Sequence, residues 1–435
     1  MIKGLDEEKI KLISKEKKET SDVLEFRLKC YEKFKNQNMP SFGPEIDIDF
    51  DKIIYYKTSD EKSIKNNWND INKDVRNEFC TLEVPSSEKY LDGMGVQYES
   101  EVIYHNMLEE LKEKNVIFTS IEEGFKKYPD LVKKYFSKIV DPYENKFVSL
   151  NGAVFSGGSF IYIPKNTKLD RPLQSYFRIS SRDLGQFERT LIVVDDNSSL
   201  HYIEGCTART YSSSNLHAAV VEIYVGKNST CRYSTIQNWA YNVKNLVTKR
   251  ALVEENGRME WIDGNIGSSL TMKYPCCVLK GDNSSGTCIT ISVAKEGQNQ
   301  DSGSKMIHIG KNTKSNIISK SIAQNGGSSD YRGSVIIKEN ALNSYSLVKC
   351  DSLILDKISS SDTYPNNEIN NKTSFIEHEA TVSRISEDKL FYLQSRGLIK
   401  EKATELIVLG FIDKFKKELP VEYAVELNQL LKQNL

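Results

Sequence analysis

Several common sources of function are missing from this 435-residue chain. No apolar run approaches the ~20 residues needed to span a bilayer, so no membrane association is expected. None of the eight cysteines forms a Cys-x-x-Cys pair, which leaves zinc-knuckle and thioredoxin-like readings without support. The five histidines make no His-x-x-x-His or His-Glu-x-x-His, so a zincin site is unsupported. Gly310-Lys311-Asn312-Thr313 lacks the upstream glycine of a phosphate-binding loop, and no Gly-x-Ser-x-Gly elbow occurs. An excess of one charge is absent too. With 59 Lys+Arg against 60 Asp+Glu the net charge is −1, so no global field recruits nucleic acid or an anionic surface. The opening Met1–Glu8 segment is charged within a few residues and reads as neither export signal nor transit peptide. The thiols are therefore expected to be reduced.

What is present fits a soluble globular protein, with 39% hydrophobic and 27% charged residues. The length allows two or three domains. Lys far outnumbers Arg, and Asn and Ile are plentiful. This suggests low-GC coding, hence the cytoplasm of a low-GC bacterium, or a plastid or apicoplast stroma if the gene is organellar.

Three regions are expected. Residues 1–149 read as helical, with a polar surface excursion over about 45–95. Leu24, Leu28 and Tyr31 repeat at helical spacing, with Phe34 at the stripe's edge, and Gly43-Pro44 ends the segment. Helical patterning returns over 98–114, around Val102, Met107, Leu108 and Leu111. Ser120 and Glu123 form a capping box, and a short helix follows Pro129. From 150 to 384 short β-rich runs alternate with Gly, Asn, Asp and Ser turns, which indicates an all-β domain. Its length favours a solenoid slightly over a sandwich, although no hexapeptide or nonapeptide repeat is visible. Residues 385–435 return to helix. Ser386 is a cap, Gly397 a stop, Ala403, Ile407, Phe411 and Phe415 a stripe, and Pro420 opens a last helix through Ala424, Leu427 and Leu431.

Cys30, Cys80, Cys231 and Cys288 read as small buried hydrophobes. Cys206 follows Gly205 and lies near Arg209; a reactive thiol needs such a cation. Cys350 sits in a β-run beside Lys349 and Asp351, which would point away from it. In Glu377-His378-Glu379 an extended backbone puts the two carboxylates on one face and the imidazole on the other. Thiolate, imidazole and carboxylate are side chains that hold iron. Arg178, Gln237, Trp239 and Lys249 lie in β-runs. They either face water or line a polar passage, since an isolated buried polar group is costly.

Several segments together resemble the SufB/SufD family of iron–sulfur cluster assembly proteins. They are Ser156–Pro164, Gly185–Thr190, Ile203–Cys206, Gln237–Trp239, Leu246–Ala251, Lys305–Thr313, Cys350–Ser352 and Glu377–Thr381. The resemblance implies a mainly β fold, a right-handed parallel β-helix core flanked by helical N- and C-terminal domains. It implies a scaffold with no enzymatic activity of its own, partnered by a SufD-type paralogue or a second SufB, and by the SufC ATPase docked on residues 385–435. A SufS desulfurase with a SufE- or SufU-type carrier would supply sulfur, and apo iron–sulfur proteins would receive the product. By position, Cys206 would accept sulfur. Arg178, Gln237, Trp239 and Lys249 would line the route. Cys350 and Glu379, with Glu377 and His378 as auxiliaries, would hold a transient cluster, expected as 4Fe–4S, with reduced flavin as a possible further cofactor. Ser180 replaces an asparagine frequent in the family, so that step of the route differs. A β-helix enzyme acting on polysaccharide and a SufD-like structural subunit are the competing readings.

Overall fold

The computed structural model describes residues 1–58, 64–73, 75–76, 91–208 and 215–416. Cys80, Arg209 and the helix expected from Pro420 lie outside them, as does the side chain of Phe415.

The core is a parallel β-solenoid. Consecutive strands alternate between two sheets, so each coil contributes one strand to each. The first sheet runs through Leu173–Ile179, Ser199–Ala208, Thr230–Trp239, Arg258–Gly267, Ser285–Ala294, Lys314–Ala323, Tyr345–Ile354 and Phe375–Arg384. The second runs through Ser159–Ile163, Arg189–Val194, Asn215–Val225, Val243–Val253, the Leu270–Lys273 and Cys276–Leu279 pair, Asn299–His308, Ser328–Ile337 and Thr363–Ile369.

The turns explain why the chain coils. Asn166, Asn197, Asn228, Asn256, Asn283, Asn312 and Asn343 all take φ between 54° and 61°, the left-handed region that asparagine tolerates. Their side chains stack from coil to coil. Asn197 donates to Asn166, Asn228 to Asn197 and Asn256 to Asn228, each at 3.0 Å. Between the sheets an apolar core gathers Ile161, Ile192, Tyr202, Tyr233, Trp261, Cys277, Cys288, Met306 and Val348.

The two ends differ. At the first, Gly93–Tyr98 extends the first sheet and pairs antiparallel with Glu101–Met107, while Ile117–Ser120 pairs antiparallel with Ser159–Ile163. The helical expectation over 98–114 is thus corrected, and only Glu109–Glu113 is helical there. The exposed edge of the solenoid overrides local preference by offering ladder partners. At the other end Thr363–Ile369 and Phe375–Arg384 are the last strands of their sheets and are largely exposed.

Helices Glu7–Glu16, Ser21–Asn36 and Lys146–Val154 pack together against the second sheet. The buried stripe of Ser21–Asn36 is Val23, Arg27, Cys30 and Phe34; Leu24, Leu28 and Tyr31 are only half-buried. Arg27 turns inward because Glu19 and the carbonyls of Ala153 and Phe155 satisfy its guanidinium, which removes the cost of burying it. The surface excursion also needs correction. Ile53–Tyr56 are buried, and Ile54–Tyr56 pairs with Ile2–Lys3. Ser120 caps Ile121–Lys127 by accepting the Glu123 N–H, and Pro129 opens Pro129–Tyr135. Ser386 likewise caps Glu387–Ser395, and Gly397 ends it at φ 90°. Helix Lys400–Lys416 lies on the outer face of the first sheet. There Val408 and Ile412 meet Ile236, Ile291 and Ile322, so the buried stripe is Ala403, Val408 and Ile412 instead of Ala403, Ile407 and Phe411.

Candidate functional site

Parallel register converts sequence spacing into lines of side chains. Cys206 stands opposite Phe177 on one side and Gln237 on the other. The row continues through Asn265, Ser292, Ser321 and Ser352. Two residues earlier in each strand, hence on the same face, a second row runs Ser175, Glu204, Thr235, Asp263, Thr290, Ser319 and Cys350. Cys206 and Cys350 therefore share one inner face, five strands apart. At the usual strand spacing that is about 25 Å.

The space between them is lined by buried polar side chains. The Cys206 thiol contacts Glu204 Oε1 at 3.6 Å, and the Tyr233 hydroxyl donates to Glu204 Oε2. Asp263 Oδ1 accepts from Lys249 Nζ at 3.2 Å, pairs with Lys273 Nζ at 3.3 Å, and accepts from Thr235. Lys273 also donates to Gln237 Oε1 at 3.2 Å, as does Asn245 at 2.8 Å. His217 bridges Asn245 Oδ1 and Glu188 Oε2, both at 2.7 Å, and its ring lies 4.7 Å from that of Trp239. Toward Cys350, Ser292 meets Ser302 at 2.8 Å and Tyr331 meets Ser304 at 3.1 Å. All these side chains but His217's partner Glu188 and the acceptor Glu204 are essentially inaccessible, and those two are buried as well. Gln237 Nε2, Trp239 Nε1, Asp263 Oδ2 and Ser319 Oγ have no hydrogen-bond partner. Such orphaned groups mark room for a polar guest or a water.

Electrostatics follow from burial and pairing. Burial pushes the Cys206 thiol well up, Glu204 and Glu188 push it further, and Lys249 and Lys273 pull back. Burial would raise the Asp263 carboxyl, but Lys249 and Lys273 outweigh it and hold it at about 2. Burial draws Lys273 down to about 8 against the pull of Asp263. Burial also opposes a charge on His217, yet Glu188 and Asn245 raise its pKa. The Cys350 thiol is pushed up to about 12 by burial, and a hydrogen bond from Tyr331 acts the other way.

The expected residues divide into two groups. Cys206, Gln237, Trp239, Lys249 and Cys350 converge on this interior. Arg178 does not: it is in register with Thr207 on the opposite face and donates to Thr207 Oγ1 at 3.1 Å. Ser180 gives its N–H to Glu99 Oε2. In the last strand His378 and Ala380 share the face of Cys350, with Ala380 directly opposite it. His378 Nδ1 contacts Asn367 at 3.1 Å, and its Nε2 is buried without a partner. Glu377 and Glu379 turn outward, Glu379 to Lys349 at 2.9 Å and Glu377 to Tyr345. Sequence reasoning missed Glu204, His217, Tyr233, Asp263, Lys273 and Tyr331. The signal that finds them is the coil length of 26–32 residues in the strand register.

Fold and candidate site together define a β-solenoid protein with a line of buried polar side chains between its sheets, running from one thiol to another. Comparison with known proteins sharpens this class. Residues 5–175 match the SufBD protein N-terminal region, and residues 177–411 match the SufBD core domain of SUF-system FeS cluster assembly. The chain is 52% identical over 432 residues to the iron–sulfur cluster assembly protein SufB of Bacillus subtilis, covering 99% of this chain and 93% of that one. An iron–sulfur cluster assembly SufBD family protein of Staphylococcus aureus (strain MRSA252) is 53% identical over the same span, again 99% and 93%. One from Staphylococcus epidermidis is 52% identical with equal coverage. The chain belongs to the SufB/SufD family of iron–sulfur cluster assembly proteins. No helix among the described residues is long and apolar enough to cross a membrane.

Proposed function

We propose that this chain is the scaffold on which sulfur and iron are combined, with sulfur entering at Cys206 and the cluster growing at Cys350. One observation carries the reading: the two thiols lie on one inner face, joined by a continuous line of buried polar side chains. A persulfide moving through such an interior is shielded from oxidants and from bulk water. Gln237, Trp239 and Lys249 serve the route, while Arg178 acts from outside by anchoring Thr207 next to Cys206.

The cluster is cargo, of 4Fe–4S type. Cys350 supplies the thiolate and His378, on the same face of the next strand, a nitrogen. Glu379 joins them once its ion pair with Lys349 opens; that pair is exposed, and such pairs contribute about 0–1 kcal/mol. Glu377 remains an auxiliary. One thiolate with nitrogen and oxygen donors holds a cluster less firmly than four thiolates, which suits release to an apo-protein. The open strands Thr363–Ile369 and Phe375–Arg384 form the junction with a SufD-type paralogue or a second SufB. The regions 1–149, 150–384 and 385–435 act as three units, the last carrying the SufC ATPase. SufC hydrolyses ATP, and this subunit is not itself an enzyme. Sulfur arrives from a SufS desulfurase through a SufE- or SufU-type carrier.

Two variants test the scheme. Cys206→Ser should block uptake of radiolabelled sulfur from a persulfide-loaded carrier. Cys350→Ser should still take up label but show no visible cluster absorption or bound iron after anaerobic reconstitution. Undiminished uptake in the first, or a full iron count in the second, overturns the corresponding assignment.

A further inference from the structure

Cys206 is almost fully buried, and its sulfur meets a carboxylate oxygen, Glu204 Oε1 at 3.6 Å. The other oxygen of Glu204 receives the Tyr233 hydroxyl, and the Tyr233 ring carries the Lys249 ammonium 4.5 Å from its centre. Glu204 is thus aimed at the thiol by a fixed aromatic neighbour. A carboxylate in this position does two things. At rest it disfavours the thiolate, which protects a sulfur that would otherwise oxidise. During attack it can receive the thiol proton, the relation of nucleophile and adjacent base found in activated nucleophiles.

We propose that Glu204 is the general base for sulfur acceptance at Cys206 and that Tyr233 is its positioning residue. The proposal rests on Cys206 being the acceptor. In the step, the Cys206 sulfur attacks the outer sulfur of a carrier's cysteine persulfide as its proton passes to Glu204 Oε1. A new S–S bond forms on Cys206 while the carrier's own S–S bond breaks. The electron pair leaves on the carrier's cysteine sulfur, which takes the proton back from Glu204. One thiol and one persulfide stand on each side, so no outside oxidant or reductant is needed. Among the described residues the other ionisable groups facing this pair are Glu188, Tyr202, His217, Lys249 and Lys273. None of them is a hydrogen-bond partner of the Cys206 thiol.

The test follows the initial rate of ³⁵S transfer from a persulfide-loaded desulfurase carrier to the full-length chain between mildly acidic and alkaline pH. Glu204→Gln should lower the rate at neutral pH by about a hundredfold, the scale of a lost general base. Its rate should then climb steeply with pH as hydroxide replaces the carboxylate. Glu204→Asp should recover part of the rate and the wild-type pH profile, and Tyr233→Phe should lose less than Glu204→Gln. A Glu204→Gln rate equal to wild type, or a lowered rate with the wild-type pH profile, overturns the base assignment. Should the Gln variant fail to fold, Glu204→Asp decides: a rate equal to wild type, or a reduced rate with a shifted pH profile, overturns the proposal, and a reduced rate with the wild-type pH profile supports it. Cys206→Ser separates the two levels. If it still accepts label, the acceptor reading itself falls. If it does not while Glu204→Gln behaves as wild type, only the base is wrong.

Discussion

His378 and Cys350 face the same side of neighbouring parallel strands, two register positions apart along the ladder, while Glu379 faces the other side. Of the acidic triplet's three side chains, the imidazole is therefore the one pre-placed beside the thiol. Burial lowers the His378 pKa, which favours the neutral ring, the form that binds metal. His378→Ala should reduce the iron and acid-labile sulfide retained after anaerobic reconstitution by at least about tenfold, the lower end of what even outer-shell changes at metal sites cost. Thermal stability should change little, because the residue lies on an exposed terminal strand. Full iron retention in this variant would remove His378 from the ligand set.

Asp263 holds Lys249 and Lys273 on one buried oxygen. Removing its charge leaves two ammonium groups in a buried interior, and breaking a buried pair typically costs about 3–5 kcal/mol. Asp263→Asn should therefore show a clear fall in denaturant midpoint at pH 7. The sign of the pH effect follows from the depressed pKa. The folded value of about 2 lies below the ordinary 3.8, so the stabilisation is complete above about pH 4 and is lost as the pH falls toward 2. The gap between wild type and variant should narrow over that range. A gap that stays constant from neutral to strongly acidic pH would show that the carboxylate charge is not what stabilises the pair.

Much of this architecture is legible in the amino-acid order, and the illegible part has a physical cause. The β-rich middle, the Ser120 and Ser386 caps and the alternation within Glu377-His378-Glu379 all depend on neighbours within a few residues, where local rules apply. The solenoid repeat escapes a search for short motifs because a coil is 26–32 residues long and varies in length. Its marker is the turn asparagine that recurs from Asn166 to Asn343. The inner polar line is harder still. Glu204, Asp263 and Lys273 are separated by many residues and meet only when strand register is known. Arg178 misleads for the same reason: a single residue of offset from Phe177 turns it away from Cys206. Within 98–114, which reads as helix, Glu101–Met107 is a strand because its partner Gly93–Tyr98 is itself added to the end of the solenoid.

The docked C-terminal helix gives a prediction about stability. Val408 and Ile412 are fully buried against the isoleucines of the first sheet, and Lys320 lies 4.5 Å from the centre of the Phe411 ring while paired with Asp351. Val408→Asp would bury a charge with no partner, so the helix should detach from the solenoid wall. Limited proteolysis should then cut near Gly397, where the chain turns between the two C-terminal helices, with the β core left intact. Unchanged protection of that turn would mean that the helix is held by contacts other than this apolar seam.

The open end of the solenoid leads to the last prediction. Phe375 is 67% exposed and Val382 is 50% exposed on the final strand of the first sheet, and Ile369 and Tyr364 are exposed on the final strand of the second. Backbone donors and acceptors on such terminal strands are a template for another chain, and the apolar side chains beside them add area that favours association. The terminal strands at the opposite end, Glu101–Met107 and Ile117–Ser120, run antiparallel to their neighbours and are largely buried or half-buried, so the end at Thr363–Ile369 and Phe375–Arg384 is the more exposed one. Cys350 lies one strand inside this end, which ties partner binding to access to the thiol. Phe375→Asp combined with Val382→Lys places charges on the edge, the device by which natural sheets avoid pairing. The double variant should remain folded and keep Cys206-dependent sulfur uptake. It should fail to co-purify with a SufD-type paralogue and should run as a single chain by light scattering. Co-purification at the wild-type ratio would move the junction elsewhere. Loss of sulfur uptake along with the partner would instead mean that the two ends of the interior line do not act independently.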